Sequence, residues 1–404
     1  MVKHLLIVEE ALKNRNGHWY EYNKAVTEEA RSRGIEVTLL VHQDIERDVC
    51  EELQAIPWFP VTSWDQIYYH PNATLRYFGI LRHNLLVARL MTKYFREASI
   101  SDVVLVPTVV LYHWLAWRWL VAEGTNRWFK KLALTTRNNA GEYDVGRNCY
   151  MFNASARVLA KVLYSFKNYV QNGTVTLASD SSMLAEQYTR LSGIPFQTFP
   201  HPRNTQYVHQ KSPGKDESHR VTISALGPPR YEKGSDLVVE AIVSLLESHP
   251  DLPVNYVVQW TEPVYLPSSK KIEIPRRLEQ AENVKIIRSS LSSEEYQKRL
   301  DEADLLLLPY RRAQYHARLS GIAIEAFQSG ASCICITDTW LEDCMDNVGS
   351  GLSIIEESSN ALAEATLQYV KNQKVYQSRA SEQMPKAWTA HSAHAFVDKL
   401  MGGY

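Results

Sequence analysis

The sequence predicts an α/β protein built from two doubly wound domains. At 404 residues the chain is too long for one ordinary core. Short apolar runs alternate with stretches of helical spacing in both halves, a pattern typical of parallel sheets covered by helices. A polar stretch rich in Pro, Gly and charged residues at 200–218 separates the halves, and the alternation restarts after it.

Each half supplies enough elements for its own sheet. The first half has predicted strands at 4–8, 36–41, 102–107, 131–136 and 174–178, with helices at 17–33 and 181–191. The second half has predicted strands at 221–226, 254–259, 284–288, 304–309 and 332–337, with helices at 234–248 and from 321 onward. We therefore predict domains over 1–203 and 219–385, and a C-terminal helical segment at 386–404 that could pack back on the first domain.

Composition and charge exclude several classes of protein. The chain is 45% hydrophobic and 22% charged, with a formal net charge of −1, so its bulk charge favours neither nucleic acid nor an anionic membrane surface as a partner. No apolar run approaches the roughly 20 residues of a spanning helix, although contact with a membrane surface stays open. The first apolar run turns acidic at Glu9 and Glu10, which predicts a buried strand rather than a signal peptide. The five cysteines lack metal-binding spacing and indicate buried thiols in a reducing compartment, so we expect a cytoplasmic protein.

The first motif joins a predicted strand to a predicted helix. It reads Gly-Pro-Pro-Arg-Tyr-Glu-Lys-Gly over 227–234. Arg230 and Lys233 therefore stand beside a helix start, where cations and free N–H groups can hold a diphosphate. The alternative is a solvated Arg/Lys pair on a surface loop.

The second motif follows the apolar strand at 304–309. Ser320, Gly321 and Ile322 can present backbone N–H groups at a helix start, and Glu325 lies about one turn inside that helix. A carboxylate in that position can accept both hydroxyls of a ribose, whereas the alternative is an ordinary surface Glu favoured by the helix dipole. Four basic side chains crowd the preceding loop: Arg311, Arg312, His316 and Arg318. The two motifs together predict a nucleotide-sugar site.

With these motifs the second half resembles the donor domain of the GT-B glycosyltransferases of family 4. Gly227, Lys233, Gly234, Glu325 and Ala326 fit the family pattern, and the likeness extends over nearly the whole chain. The resemblance implies two Rossmann-like domains facing each other across a cleft, with the acceptor on the N-terminal domain and the nucleotide sugar on the C-terminal domain. It also implies retention of the anomeric configuration. The catalytic residues would be Arg230 and Lys233, and the donor-binding residues Gly17, Gly227, Leu291, Ser320, Gly321, Ile322 and Glu325.

Three positions depart from the family pattern. Pro228 replaces an arginine, for which Arg230 can substitute, and Ala317 replaces a glutamate that grips the transferred sugar. Arg137 stands where the family often has a histidine, and a guanidinium cannot take over a proton-transfer role from an imidazole. Weaker candidates for contact with the acceptor or the sugar are His18, His113, Arg137 and His316. For His113, which lies in an aromatic run, packing in the core is the alternative.

The sequence therefore predicts a retaining glycosyltransferase that moves a sugar from a nucleoside-diphosphate sugar to a glycan or small-molecule acceptor. UDP is favoured over GDP, and neither a metal nor a cofactor other than the nucleotide-sugar co-substrate is expected. No nucleic-acid partner is expected, and the oligomeric state is open. Two alternatives remain: a sugar-nucleotide epimerase of the same fold, and a catalytically silent GT-B protein that serves as a binding partner or scaffold.

Overall fold

A computed structural model describes residues 2–15, 18–110, 112–204 and 220–402, with the His18 side chain left out. Helices and parallel strands alternate along these ranges, which confirms the predicted α/β class. The internal contacts divide the chain into two units. The first unit comprises Met1–Glu142, Cys149–Thr205 and His391–Tyr404, and the second comprises Tyr143–Asn148 and Gln206–Ala390. Most of the predicted linker, and Gly17, lie outside the described residues.

The strands are short and apolar. In chain order they are β1 (His4–Glu9), β2 (Glu36–His42), β3 (Ala55–Phe59), β4 (Ser101–Val106), β5 (Phe129–Thr136), β6 (Glu142–Asp144), β7 (Cys149–Met151), β8 (Val175–Ser179), β9 (Gln197–Thr198), β10 (Val221–Ala225), β11 (Val254–Gln259), β12 (Val264–Tyr265), β13 (Lys271–Ile272), β14 (Val284–Ile287), β15 (Leu305–Leu308), β16 (Ser332–Ile336) and β17 (Gly351–Ile354).

The helices connect these strands. They are α1 (His18–Ser32), α2 (Arg47–Leu53), α3 (Ala73–Glu97), α4 (Trp114–Gly124), α5 (Ala154–Tyr164), α6 (Lys167–Gln171), α7 (Ser182–Ser192), α8 (Ser235–Ser248), α9 (Arg276–Glu279), α10 (Ser293–Glu302), α11 (Arg312–Tyr315), α12 (Gly321–Gln328), α13 (Trp340–Val348), α14 (Ser359–Lys371), α15 (Gln373–Ala390) and α16 (Ala393–Met401). Among the helices of the described chain, every one is too short or too polar to cross a bilayer.

The first unit is built on a seven-stranded parallel sheet with the order β3-β2-β1-β4-β5-β8-β9. Leu5, Leu6 and Ile7 of β1 are fully buried, as expected for a central parallel strand covered on both faces. The last helix, α16, packs against α1. Phe396 makes edge contacts with Tyr22 and with Phe199, in each case at 5.5 Å between ring centroids.

The second unit contains a six-stranded parallel sheet with the order β14-β11-β10-β15-β16-β17. The chain runs outward from β10 to β11 and β14, then returns to β15 on the other side of β10. The point where the strand order reverses therefore lies between β10 and β15, and in such sheets ligands bind beside the carboxyl ends of those strands. Cys333 and Cys335 of β16 are free and buried, and burial raises the pKa of both thiols.

Glu9, at the carboxyl end of β1, is an ionisable group inside the first unit. Its side chain is 3% exposed and accepts a hydrogen bond from the Ala11 N–H at 3.1 Å. Burial, with a smaller contribution from the neighbouring Glu10 carboxylate, raises the Glu9 pKa to about 8. The Ala11 N–H, the Arg137 guanidinium and the Asn23 side chain oppose that shift without cancelling it.

We expect Glu9→Gln to stabilise the protein at alkaline pH. Because the folded-state pKa is raised, the folded protein keeps a proton that the unfolded chain releases above its ordinary pKa of 4.5, so stability falls as pH rises from about 4.5 to about 8. The loss can reach roughly 1.4 kcal/mol per pH unit. Urea unfolding at pH 5 and pH 8 should show a smaller loss for Glu9→Gln than for the wild type. The exposed Glu36→Gln is the control, and equal losses in all three proteins would contradict the assignment.

Candidate functional site

Two loops of the second unit flank the point where the strand order reverses. The loop after β10 holds the motif over 227–234, and the loop after β15 leads to α12. A small cavity lies at the carboxyl ends of β10, β11 and β15, and its lining includes Gly227, Lys233, Gln259, Trp260 and Tyr310. The fold therefore brings Gly227 and Lys233 of the first motif to the end of β15, after which the second motif follows.

Gly227 allows these loops to approach closely. Its φ is +92°, and a Cβ at this position would lie 2.8 Å from Ile322 Cδ1 and 3.5 Å from Lys233 Nζ. The Gly227 N–H donates to Gln259 Oε1 at 2.8 Å, while Gln259 Nε2 donates to the Ser289 carbonyl at 3.1 Å. Gln259 thus connects the loop after β10 to the loop after β14.

Gly234 sets the second close approach. Its φ is +66°, and an added Cβ would lie 2.2 Å from the Pro309 carbonyl oxygen at the end of β15. The neighbouring Ser235 Oγ accepts a hydrogen bond from the Arg230 N–H at 3.0 Å. The short 3₁₀ turn Tyr231–Lys233 is therefore held between the ends of two strands, and the direction of Lys233 follows from that turn.

Lys233 is a half-buried cation that has no carboxylate partner in the described part of the chain. Within the described ranges no Asp or Glu oxygen lies within 4.0 Å of its Nζ, which stands 5.8 Å from the centroid of the Tyr310 ring. Burial, reinforced by the charges of Arg230 and Arg318, lowers the Lys233 pKa to about 8, although Glu232 opposes the shift. A bound anion would offset this desolvation, so the position favours an anionic ligand.

Two arginines contribute positive potential around Lys233. The Arg230 side chain is 53% exposed and lies 3.6 Å from a Glu232 oxygen. Arg318 is half-buried, and its guanidinium covers the Tyr315 ring at 4.6 Å from the centroid. No ion pair joins Arg318 to a carboxylate in the part of the chain that the structure describes. The sequence motif placed Arg318 in a basic loop but did not single it out as a site residue.

Arg311 and Arg312, in the loop after β15, make contacts within the second unit. Arg311 forms an ion pair with Asp236 at 2.6 Å, and its guanidinium lies 4.0 Å from the centroid of the Tyr231 ring. Arg312 Nε donates to the Thr337 carbonyl at 2.7 Å. Both guanidinium groups are thus engaged by the fold, which leaves Arg230, Lys233 and Arg318 as the cations for a ligand.

The start of α12 offers backbone N–H groups. The Ser320 Oγ caps the helix by accepting from the Ala323 N–H at 3.3 Å, so its hydroxyl serves the helix. The N–H groups of Gly321 and Ile322 belong to the first turn and have no acceptor within the helix. Because Ile322 lies close to Gly227, this helix start is next to the loop that carries Lys233.

Glu325 is half-buried one turn into α12. Its Oε2 accepts a hydrogen bond from the Tyr296 hydroxyl of α10 at 2.8 Å, which orients the carboxylate. Tyr296 was not predicted, because a tyrosine in a polar helix carries no local signal of a partner 29 residues away. Leu291 is half-buried in the loop before α10, two residues after the Ser289 that Gln259 contacts.

The positions around Ala317 are packed. Ala317 is 1% exposed, so the place of the family glutamate is occupied by a small buried side chain. The His316 ring stacks on Tyr143 with centroids 3.5 Å apart, and its Nδ1–H donates to the Asp338 carbonyl at 2.8 Å. His316 therefore has a clear structural role, and its contact with a sugar stays a prediction.

In the first unit His113 belongs to a buried polar cluster. Its ring stacks on His83 with centroids 3.6 Å apart, and its Nδ1 lies 2.8 Å from Ser63 Oγ. His83 Nε2 lies 3.2 Å from Glu10 Oε2. Burial and the neighbouring His83 lower the His113 pKa to about 3. Burial opposes ionisation of Glu10, but its contact and hydrogen bond with His83 outweigh that effect and lower the carboxyl pKa.

Glu10, His83 and His113 are also the one group of described residues with three potential metal ligands, whose ligand atoms lie within 4.8 Å of one another. Imidazole lone pairs lie in the ring plane, and the two rings are parallel to within 7°. A single ion cannot lie in both planes, so the geometry suits a hydrogen-bonded cluster better than a tetrahedral site.

Arg137 is held by its neighbours in the first unit. Its Nε forms an ion pair with Asp180 at 3.0 Å, its Nη2 lies 3.3 Å from His201 Nδ1, and its guanidinium lies 5.2 Å from the centroid of the Tyr22 ring. His18 is the first residue of α1, and its side chain is not described. The structure thus assigns Arg137 a packing role and leaves its contact with an acceptor a prediction.

Comparison with known proteins supports the fold. No protein-family model matches the sequence, and no curated protein sequence is significantly similar to it. Among solved structures, the N-terminal domain of Candida albicans trehalose-6-phosphate phosphatase matches with a TM-score of 0.69 and 12% identity over 100% of this chain and 97% of that one. Anabaena HepE in complex with UDP matches with a TM-score of 0.63 and 9% identity over 98% of both chains.

Sucrose-phosphate synthase from Thermosynechococcus elongatus matches with a TM-score of 0.62 and 15% identity, over 99% of this chain and 97% of that one. These similarities extend over both units. Together with the two parallel sheets they confirm the predicted fold, which is that of GT-B glycosyltransferases. At such identities they carry information about the fold alone.

We expect Gly234→Ala to disrupt the site, because a methyl group there meets the Pro309 carbonyl as well as a strained φ. Hydrogen exchange measured by mass spectrometry should rise in peptides covering 226–240 and 305–312. The matched control is Gly193→Ala, since Gly193 has a similar φ of +69° but nothing within 4 Å of the added Cβ. Its effect should stay local, at about 1–2 kcal/mol. Equal, local effects of both variants would contradict the role given to the Gly234–Pro309 contact.

Proposed function

We propose that the protein is a retaining glycosyltransferase of the family 4 type that uses a nucleoside-diphosphate sugar, with UDP as the preferred nucleotide. The observation that carries the proposal is Lys233. A half-buried cation without a carboxylate partner among the described residues stands where the strand order reverses, beside Arg230, Arg318 and the start of α12. An arrangement of this kind binds a diphosphate.

Each part of the nucleotide has a group suited to it. Lys233 and Arg230 would contact the diphosphate, and the N–H groups of Gly321 and Ile322 would add neutral donors. Glu325, oriented by Tyr296, would accept the two ribose hydroxyls. The loop that includes Leu291 would receive the base, close to the diphosphate because Gln259 connects the two loops.

The same groups would promote loss of the nucleoside diphosphate from the sugar. Negative charge builds on the leaving phosphate as the glycosidic bond breaks, and cations already in place stabilise that charge without reorganisation. Lys233 and Arg230 would supply this stabilisation without a metal. HepE, which has a similar fold, has been solved in complex with UDP and with UDP-glucose, and this supports UDP as the donor nucleotide. The acceptor would be a glycan or a small molecule.

An epimerase is the less favoured alternative. Epimerisation needs acidic and basic side chains converging on the sugar, and the buried Ala317 supplies no carboxylate at the position of the family glutamate. Incubation with UDP-, GDP- and ADP-sugars separates the possibilities. Release of the nucleoside diphosphate supports transfer, and conversion of one sugar nucleotide to its epimer supports the alternative. A protein that shows neither reaction and no thermal shift with any nucleotide would be a catalytically silent scaffold.

We expect Lys233→Ala to weaken UDP binding by about 1.5–3 kcal/mol, roughly 10- to 150-fold, because a charge-assisted contact to the diphosphate is lost. Isothermal titration calorimetry at pH 7 would measure this change. Lys386→Ala, which removes an exposed lysine from α15, is the matched control and should leave the affinity unchanged. UDP affinity that survives in Lys233→Ala would remove the main support for the proposed site.

UDP affinity should also fall as pH rises above about 8. Free Lys233 loses its proton there, whereas a bound diphosphate favours the charged form, so binding takes up a proton and weakens by up to about tenfold per pH unit. Lys233→Arg keeps its charge across this range and should flatten the dependence. Calorimetry at pH 7, 8 and 9 would test both proteins. The same slope in wild type and Lys233→Arg would show that another group is responsible.

A further inference from the structure

The first unit exposes several large apolar side chains on neighbouring helices. Phe78 is 66% exposed, Leu85 64% and Val158 64%. Leu81, Leu115 and Trp119 are each about half exposed. Because apolar side chains of this size are normally covered, a group of them on one surface points to a contact with something outside the described chain.

These side chains belong to one layer of helices. The connections through α3, α4 and α5 all step in the same direction across the sheet, so right-handed crossovers place the three helices on one face. The opposite side of α3 is buried in the unit, as Val87 and Met91 show. Between α3 and α4 a shallow groove is lined by Leu81, Leu85 and Trp119. We call the exposed side of α3, α4, α5 and α6 the outer helical face.

Positive charge is concentrated on the same face. The four helices contain nine Lys and Arg residues but only two acidic ones, Glu97 and Glu123. The whole chain has 44 basic and 45 acidic residues, so the remainder carries a net negative charge. Arg82, Arg89, Lys93 and Arg96 of α3 are exposed, and no described carboxylate forms an ion pair with them.

Apolar and basic groups occupy successive parts of the exposed side of α3, an arrangement that suits one kind of partner. The apolar Phe78, Leu81 and Leu85 come first along the exposed side, followed by the basic Arg89 and Lys93. A lipid bilayer with anionic headgroups satisfies both, because its acyl region accepts the apolar groups while its headgroups attract the cations. A nucleic acid would satisfy only the cations, and a protein interface is the alternative that the self-association measurement below addresses.

We propose that the outer helical face docks on an anionic membrane surface. Binding is peripheral: the exposed apolar side chains insert among the headgroups, and the exposed arginines and lysines neutralise anionic lipid. All residues of the outer helical face belong to the first unit, whereas the proposed nucleotide site belongs to the second unit.

Flotation of the full-length protein with vesicles tests this proposal. We expect the protein to float with vesicles of equal parts phosphatidylglycerol and phosphatidylcholine, to remain behind with phosphatidylcholine alone, and to bind at least tenfold more weakly in 0.5 M salt than in 0.05 M salt. No nucleotide is present in this assay, so its outcome is separate from that of the UDP titrations.

Two variants separate the contributions. Leu81→Ser with Leu85→Ser removes apolar groups, and Arg89→Gln with Lys93→Gln removes charge; each pair should reduce binding at least tenfold. All four positions are exposed, so the melting temperature should stay the same. Controls in the second unit are Val375→Ser, at a side chain that is 68% exposed, and Lys386→Gln. The proposal is overturned if anionic vesicles do not retain the protein, or if the face variants and the controls behave alike. Self-association that the leucine variants abolish, without vesicle binding, would also overturn it in favour of a protein interface.

Discussion

The contact between Gly234 and the Pro309 carbonyl is the constraint on which the candidate site depends. It brings the loop after β10 against the end of β15, and only a residue without a side chain can take part in it. The 3₁₀ turn before Gly234 then has little freedom, so Lys233 is directed into the crowded region between Gly227 and Tyr310. Arg311 reinforces this placement, because it connects the loop after β15 to Asp236 at the start of α8 and to the Tyr231 carbonyl.

Electrostatics differs between the two units. In the second unit, Arg230 and Arg318 add positive charge around Lys233 that the described carboxylates do not balance. In the first unit the polar groups at the carboxyl ends of the strands bind one another, since Glu10, His83, His113 and Ser63 form one cluster and Arg137 is paired with Asp180. An unbalanced cation favours a ligand, whereas a hydrogen-bonded cluster favours rigidity. The donor end of the proposed reaction is therefore better defined by this structure than the acceptor end.

Local patterns in the sequence were sufficient for most of the fold. Runs such as Leu305–Leu308 can only be buried, and strands separated by helices of ordinary length lead to parallel sheets. The glycines of the 227–234 motif were also informative, because their spacing marks tight turns. Local sequence patterns could not predict which basic residues at 311–318 are neutralised by the fold. Arg311 and Arg318 look equivalent in the sequence, and they differ only because Asp236 and Glu357, both distant along the chain, neutralise the first of them. Net charge was equally uninformative about the outer helical face, since the rest of the chain cancels its surplus.

The bridging amide of Gln259 has a consequence for how a nucleotide would be recognised. The amide oxygen accepts from the Gly227 N–H, and the amide nitrogen donates to the Ser289 carbonyl. The two loops are therefore joined through one side chain by two hydrogen bonds. A base that shifted the 289–291 loop would also move the Gln259 amide, and with it the Gly227 backbone beside Lys233. Discrimination between pyrimidine and purine nucleotides would then be expressed partly as a difference in how well the phosphates are held.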